Sequence, residues 1–226
     1  MNPFLEEWKR LEAAGPRPQL GRKIIQMDFK ELEAKVLARD AKFAKQLTES
    51  LYAGDAYIYK QAFAKDFFRD LKSWVYNHWM TTPSSFHKIL EGCPNFHRLI
   101  DDEIAKNYAF KSIRRSCYFF PWNEAPLNLL SIIDNRWRIF KYLGGFALDE
   151  YVGHTPKDGV VDRIQVAQYP TGGAGLSETH ADPYLNQRVT ISGYMSKRGV
   201  DYEQGGFYVL GQNKEQLDIE QYIDIG

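Results

Sequence analysis

The stretch that decides the fold is Arg163-Ile-Gln-Val-Ala-Gln-Tyr-Pro-Thr-Gly-Gly-Ala-Gly-Leu-Ser-Glu-Thr-His180-Ala-Asp182. It contains a β-type run, a glycine-rich turn and a second β-type run that ends at His180 and Asp182. Residues two apart on a strand project from the same face, so this imidazole and this carboxylate can reach one point in space. A neutral nitrogen donor and an anionic oxygen donor suit a divalent first-row metal ion. The stretch therefore predicts part of a metal site, although a His-x-Asp pair on its own also occurs as solvated polar surface.

The residues that follow predict a strand that lines a ligand cavity. Between Gln187 and Lys197 the side chains alternate, with Val189, Ile191 and Met195 on one face. The other face carries Arg188 and the hydroxyl groups of Thr190, Ser192 and Tyr194. A polar face of this kind suits a strand that lines a binding pocket. Gly205-Gly206 then predicts a bend in the backbone or the close approach of another group.

The first half of the chain is predicted to be helical and the second half to be β. Apolar periodicity predicts helices over Phe29–Leu51, over 62–79, and from Pro126 to Gly144-Gly145. Strands are predicted at Ala56–Gln61, Ser112–Phe120, Arg163–Tyr169, Leu176–Asp182, Arg188–Ser196, Gly206–Leu210 and Ile219–Ile225. Short strands separated by turns favour an antiparallel sandwich or jelly roll. We therefore expect a single α+β domain over 1–226, with a helical support up to about residue 110 and a β core from about 112.

Composition and charge limit the classes of binding partner and the cellular location that we expect for the protein. The 29 basic and 29 acidic residues balance, which argues against binding to nucleic acid or to an anionic membrane surface. No apolar run is long enough to cross a bilayer, and the N-terminus is too acidic for a secretory signal. The two cysteines, Cys93 and Cys117, form no disulfide framework, so we expect reduced thiols and a cytoplasmic location. Aromatic residues make up 15% of the chain, which predicts a ring-lined concave surface.

Taken in order, these features resemble the iron(II)/2-oxoglutarate-dependent dioxygenases, most closely their prolyl-hydroxylase-like branch. The resemblance runs from about Arg163 to Leu210. It comprises the strand ending at Tyr169-Pro170, then His180-Ala-Asp182, then Arg188-Val-Thr190 leading to Tyr194, and then Gly205-Gly206. It implies a double-stranded β-helix core, also called jelly-roll or cupin-like, on a helical N-terminal layer.

The resemblance also implies the roles of individual residues. His180 and Asp182 match two of the three iron ligands and are the expected catalytic centre. Tyr194 matches the tyrosine that hydrogen-bonds a carboxylate of 2-oxoglutarate, and Tyr169 matches a second tyrosine that lines the cosubstrate pocket. The carboxylate of Asp182 favours hydroxylation over halogenation, since halogenating members have a small residue there. The implied cofactors are Fe(II), 2-oxoglutarate and O2, with succinate as the decarboxylated product.

The chain departs from the family pattern at its C-terminal end. The family requires a second histidine well beyond the aspartate, followed by a basic residue for the distal carboxylate of 2-oxoglutarate. The five histidines are His78, His87, His97, His154 and His180, and none follows Asp182. We expect the natural gene to continue beyond Gly226, so that a stop codon directly after it would refute this expectation. Within the sequence, His154 in its Gly-His-Thr-Pro loop is the alternative third ligand.

Three functions are compatible with the sequence. The first is hydroxylation of an unactivated C–H bond in a small organic substrate, of amino-acid or natural-product type. The second is hydroxylation of a protein or peptide side chain such as proline. The third is a jelly-roll binding protein without metal chemistry. The sequence does not determine the oligomeric state.

Overall fold

The computed structural model describes residues 1–107, 113–148, 162–170 and 187–226. Within these, the helices are α1 (Pro3–Ala14), α2 (Phe29–Leu37), α3 (Ala41–Tyr52), α4 (Lys65–Thr81), α5 (Asp102–Ala105) and α6 (Leu129–Leu143). The strands are β1 (Ile24–Asp28), β2 (Ala56–Lys60), β3 (Phe96–Ile100), β4 (Arg114–Phe119), β5 (Ile164–Gln168), β6 (Tyr208–Leu210) and β7 (Gln216–Asp218). Short 3-10 helices cover Pro126–Asn128 and Glu220–Tyr222.

The described residues divide into two units. The first unit comprises 1–69, 135–148 and 187–226, and the second comprises 70–107, 113–134 and 162–170. No helix in the described ranges is both long and apolar enough to cross a membrane.

The first unit buries a core of helical side chains beside two small sheets. Its central residues are Phe4, Trp8, Phe29, Leu32, Val36, Phe43, Ala44, Leu47, Ile139, Tyr142 and Leu143. Asn2 begins α1, because its side-chain oxygen accepts the backbone N–H groups of Phe4 and Leu5. Strands β1 and β2 pair in parallel, with Ile24 opposite Ala56. Strands β6 and β7 form an antiparallel pair in the same unit.

The second unit is built on the antiparallel sheet β3-β4-β5. Phe96 lies opposite Tyr118 and His97 lies opposite Cys117, so adjacent residues of β3 direct their side chains to opposite faces. Phe96 and Tyr118 pack with Cys93 and Phe120 in one buried cluster. On the face that carries His97, the Trp79 ring of α4 packs against that histidine, with ring centroids 6.3 Å apart.

Several predicted elements differ from the structure. The predicted helix Phe29–Leu51 is two helices, α2 and α3, because Arg39 has φ of 52° between them and Asp40 caps the second. The predicted strand Ile219–Ile225 contains a 3-10 turn, since the Glu220 side chain is bound to the backbone nearby. The predicted helix over 62–79 corresponds to α4, and the strand Arg163–Tyr169 corresponds to β5.

The predicted strand Arg188–Ser196 has no regular secondary structure in residues 187–197. Its first side chains contact helices instead of forming one face of a sheet. The Arg188 guanidinium pairs with Glu12 at 2.6 and 3.1 Å and donates to the Gly144 carbonyl at 3.1 Å. Val189 packs on the helical core.

The structure is therefore mixed helix and sheet. Its sheets have two, three and two strands, and none of them closes into a barrel within the described ranges. The double-stranded β-helix and the single domain over 1–226 stay predictions. The predicted strand Leu176–Asp182 lies outside the described residues.

Candidate functional site

The residues predicted from sequence to form the iron site fall in different parts of the chain. His180 and Asp182 lie outside the described residues, as does the alternative ligand His154. Tyr169 belongs to the second unit and Tyr194 to the first, so each is described by itself.

Tyr169 directly follows β5, whose last residue, Gln168, pairs with Arg115 of β4. The tyrosine is 47% exposed. Its backbone position is thus held by a sheet, while its ring is open to solvent.

Tyr194 is half-buried and packs edge-on against Phe207, with ring centroids 6.1 Å apart. Burial raises the pKa of its phenol, and the negative charge of Glu220 raises it further. The hydroxyl group is therefore protonated at neutral pH. It makes no hydrogen bond to another described residue. Tyr194 is thus a hydrogen-bond donor available for an acceptor such as a carboxylate.

A buried carboxylate fixes the chain beside Tyr194. Glu220 is 5% exposed, and its Oε1 accepts the Phe207 backbone N–H at 2.6 Å. Its Oε2 accepts the Tyr202 hydroxyl, whose pKa is raised by burial and by that hydrogen bond. Phe207 is also the residue whose ring contacts Tyr194. Glu220 therefore positions the segment that supports Tyr194.

The sequence signal for this arrangement is Gly205-Gly206. Both residues have positive φ, of 87° and 116°. A Cβ atom at position 206 would lie 2.4 Å from Cγ of Glu220. The predicted close approach is confirmed, but Glu220 as the approaching group was not predicted, because nothing in its local sequence marks it as buried.

The donor chemistry of these residues fits iron and 2-oxoglutarate. An imidazole and a carboxylate, from His180 and Asp182, are the donor types that Fe(II) takes in non-haem sites. A protonated phenol at Tyr194 suits a cosubstrate carboxylate. Elsewhere in the chain, within the ranges that the structure describes, no group of three histidine, cysteine or acidic side chains is placed to hold a metal ion.

The second unit contains a cleft of 410 Å³ that sequence reasoning did not predict as a site. We call it the aromatic cleft. It is lined by Trp74, His78, Asn95, Phe96, Cys117, Tyr118, Phe119, Glu124, Ala125 and Pro126. These residues come from α4, from β3 and the residue before it, from β4, and from the turn before α6. No short sequence motif therefore predicts the cleft. The only sequence signal is the high aromatic content of the chain.

Burial keeps His78 and Cys117 of the aromatic cleft uncharged at neutral pH. His78 stacks on Trp74 with ring centroids 4.8 Å apart. Burial lowers the pKa of His78 and raises the pKa of Cys117 to about 12. Cys117 is therefore a thiol and not a thiolate nucleophile at neutral pH. Glu124 is exposed and is the one acidic residue among the described residues of the lining.

Beside the aromatic cleft, two histidines share one partner. The Nδ1 atom of His78 lies 3.1 Å from the Thr82 hydroxyl, and the Nδ1 atom of His97 lies 3.3 Å from the Thr82 carbonyl oxygen. The Nε2 atom of His97 is buried without a hydrogen-bond partner in the described part of the chain. Since the carbonyl oxygen only accepts, His97 carries its proton on Nδ1 when neutral.

Comparisons with protein-family models, with curated proteins and with solved structures found no match to this chain.

Proposed function

We propose that the protein is an iron(II)/2-oxoglutarate-dependent oxygenase that hydroxylates a small organic substrate. The observation that carries the proposal is the ordered set of sequence features from Tyr169 through His180, Asp182 and Tyr194 to Gly205-Gly206. The protonated hydroxyl of Tyr194, which has no hydrogen-bond partner among the described residues, supports it, because the proposal requires a hydrogen-bond donor at that position.

The chain's own residues have distinct tasks in this reaction. His180 and Asp182 bind the metal through one nitrogen and one oxygen atom. The Tyr194 hydroxyl donates a hydrogen bond to a carboxylate of 2-oxoglutarate and orients it. When bound, iron with 2-oxoglutarate activates dioxygen for C–H hydroxylation, coupled to release of succinate and CO2.

Charge near Tyr194 sets a requirement on the cosubstrate pocket. Glu220 is close enough to raise the Tyr194 pKa, so a bound carboxylate is repelled by the same negative charge. Two hydrogen bonds to the Glu220 carboxylate partly offset its negative charge. Arg198 is also close enough to interact with it, since Glu220 raises the pKa of Arg198, although Asp218 has the larger effect. The proposal therefore requires a basic residue to pair with the carboxylate of 2-oxoglutarate.

Two further expectations belong to the proposal. The balanced charge and the 15% aromatic content favour a closed pocket for a small substrate over a peptide groove, so we expect free amino acids or related compounds to be hydroxylated. Activity on peptides alone would favour a peptidyl hydroxylase instead. Cys93 and Cys117 are both free and buried, which is compatible with work in the cytoplasm.

The test measures iron content, succinate formation and the apparent KM for 2-oxoglutarate of the purified protein. His180→Ala and Asp182→Ala are each expected to abolish iron binding and succinate formation together. Tyr194→Phe is expected to keep the iron and raise the KM for 2-oxoglutarate about tenfold, since a hydrogen bond to a charged group is lost.

Matched variants control this test. Tyr208→Phe removes a hydroxyl in the same unit and is expected to leave the KM unchanged. His154→Ala is expected to retain iron, and loss of iron in it would make His154 the third ligand. Turnover that survives either His180→Ala or Asp182→Ala would refute the ligand assignment. Absence of both iron binding and succinate formation would refute the oxygenase proposal and favour a binding protein without metal chemistry.

A further inference from the structure

Residues 82–85, which follow α4, cover the outer edge of strand β3 in the second unit. Among the described strands, β3 pairs only with β4, so its other edge is open to a further partner. The Ser85 N–H donates to the His97 carbonyl oxygen at 2.8 Å, and the Leu99 N–H donates to the Ser84 hydroxyl oxygen at 2.8 Å. We call residues 82–85 the edge strap. A covered edge is protected from pairing with another strand.

The edge strap is bound to β3 mainly through His97. Besides the backbone bond to Ser85, the His97 Nδ1–H donates to the Thr82 carbonyl oxygen at 3.3 Å. Pro83, Ser84 and Ser85 are exposed, so the edge strap buries little surface of its own. A segment with few buried contacts opens at a low cost in free energy. We propose that the edge strap is released from β3 in acid, when the His97 imidazole becomes protonated on both nitrogens.

The surroundings of His97 oppose a positive charge on its ring. The residue is 5% exposed, and its Nε2 atom has no hydrogen-bond partner in the described part of the chain. A proton on Nε2 would therefore be a buried donor without an acceptor. The bond to the Thr82 carbonyl favours the charged ring, but burial has the larger effect and lowers the pKa of His97 below 6.5.

The charged neighbours of His97 add to this cost. His78 of α4 has its ring centroid 6.1 Å from that of His97. Arg115 of β4 lies on the same face of the sheet, two positions from Cys117, which is opposite His97. His78 and Arg115 both lower the pKa of His97, and no carboxylate among the described residues acts against them.

The remaining groups around His97 do not offset its charge. Cys117 is an uncharged thiol, because burial raises its pKa to about 12. Trp79 of α4 presents a neutral ring, with its centroid 6.3 Å from that of His97. Thr82, Pro83, Ser84 and Ser85 have no side chain that titrates in this range. Arg98, the next residue of β3, is directed to the opposite face, where it lies 4.3 Å from the Phe86 ring centroid.

The edge strap is the element that gives way when His97 is charged. On its other edge β3 is bound to β4 through the full register from Phe96 opposite Tyr118 to Ile100 opposite Arg114. Displacement of the exposed edge strap breaks fewer bonds and gives the ring access to water. An imidazole in water titrates near pH 6.5, above the pKa of the buried ring. The closed form is therefore favoured well above pH 6.5 and loses stability as the pH falls below it.

The test measures amide hydrogen exchange by NMR on the full chain at pH 7 and pH 5.5. The opening constants of the Ser85 and Leu99 amides are corrected for intrinsic exchange rates. We expect both to rise about three- to eightfold at the lower pH, since one histidine titrates. Amides of the β4-β5 ladder are the reference and are expected to stay better protected at both pH values. Equal opening constants for the edge strap and the ladder would show global unfolding and overturn the proposal.

Variants separate the titrating group from the bonds that hold the edge strap. His97→Gln is expected to abolish the rise at pH 5.5, whereas His87→Gln, whose ring contacts Phe96 instead, is expected to retain it. Ser84→Ala removes the bond to Leu99. It is expected to raise the Ser85 opening constant about two- to tenfold at both pH values and to leave the acid response unchanged. An acid response that survives in His97→Gln would overturn the proposal.

A measurement on the unmodified protein guards against a variant that does not fold. Titration of the His97 ring by NMR is expected to give a pKa below 6.5. A value at or above 6.5 would overturn the proposal, because protonation would then not favour the open form. None of these results depends on iron or on succinate formation, so failure here leaves the oxygenase proposal unaffected.

Discussion

Glu220 shows how one buried charged side chain organises its surroundings. Its carboxylate is 5% exposed, and hydrogen bonds from Tyr202 and from the Phe207 backbone compensate for the lost hydration. The backbone can approach this carboxylate only because residue 206 has no side chain and adopts φ of 116°. The pair Gly206 and Glu220 is therefore a single structural feature, although its members are fourteen positions apart in the numbering.

The first prediction separates backbone strain from steric exclusion. Gly206→Ala places a Cβ atom where Glu220 lies and must displace the carboxylate, so we expect a loss of about 3 kcal/mol in unfolding free energy. Gly199→Ala has comparable positive φ, of 83°, with open space around the new Cβ. We expect it to lose only about 1 kcal/mol. Urea denaturation of both variants measures the difference, and equal losses would show that Glu220 is not held as described.

At the scale of elements, the break between α2 and α3 is the clearest departure from the periodic pattern. Apolar residues continue through the break at helical spacing, which is why the sequence predicts one helix. In the structure the last turn of α2 is closed by Ala38 N–H donating to Ala34 O at 3.0 Å. Arg39 then reverses the backbone, and the Asp40 side chain accepts the Phe43 N–H at 2.9 Å to start α3. Local capping therefore overrides the longer apolar repeat.

The second prediction tests this cap. Asp40→Ala removes the hydrogen bond to Phe43 and is expected to lower the unfolding free energy by about 1 kcal/mol. Asp28→Ala is a matched control, because Asp28 precedes α2 in the same way but makes no side-chain capping bond. We expect its effect to be within about 0.5 kcal/mol. Chemical denaturation decides, and a larger loss for Asp28→Ala than for Asp40→Ala would contradict the assignment of the caps.

At the scale of the whole molecule, each unit is assembled from distant segments. In the first unit the Trp8 indole donates to the Leu143 carbonyl oxygen at 2.8 Å, which links residues 135 positions apart. In the second unit β5 pairs with β4, although the two strands are far apart along the chain. Contacts of this kind form only as the chain reaches its tertiary structure, so they leave little trace in any short window of sequence.

A prediction for pH dependence follows from the second unit. Burial lowers the pKa values of His78 and His97 below 6.5, and for His97 the nearby His78 and Arg115 act in the same direction against the Thr82 carbonyl. Well above pH 6.5 both rings are neutral in the folded chain and in the unfolded chain. Below it the unfolded chain takes up protons first, so stability falls as the pH falls, by at most about 1.4 kcal/mol per pH unit for each ring.

Variants identify the residues responsible for this acid sensitivity. His97→Gln is expected to reduce the fall in unfolding free energy between about pH 6.5 and 5. The double variant His78→Gln/His97→Gln is expected to reduce it further. Denaturation curves at several pH values measure the slope for the wild type and both variants. An unchanged slope in the double variant would show that protonation of these histidines does not cause the loss of stability at low pH.

The sequence by itself determined the elements whose hydrogen bonds and burial are local. It predicted α4 to within a few residues from its repeating apolar spacing, and β2 and β5 from short β-prone runs beside turn residues. It also marked Gly205-Gly206 as a close approach, and it named His180 and Asp182, whose role stays a prediction. Only the tertiary structure decided that Glu220 fills the space at Gly206, that Arg188 pairs with Glu12 of α1, and that Trp74, Phe119 and Glu124 line one cleft. The physical reason is that these features depend on contacts between residues far apart in the chain, whose packing overrides the local preference of each segment.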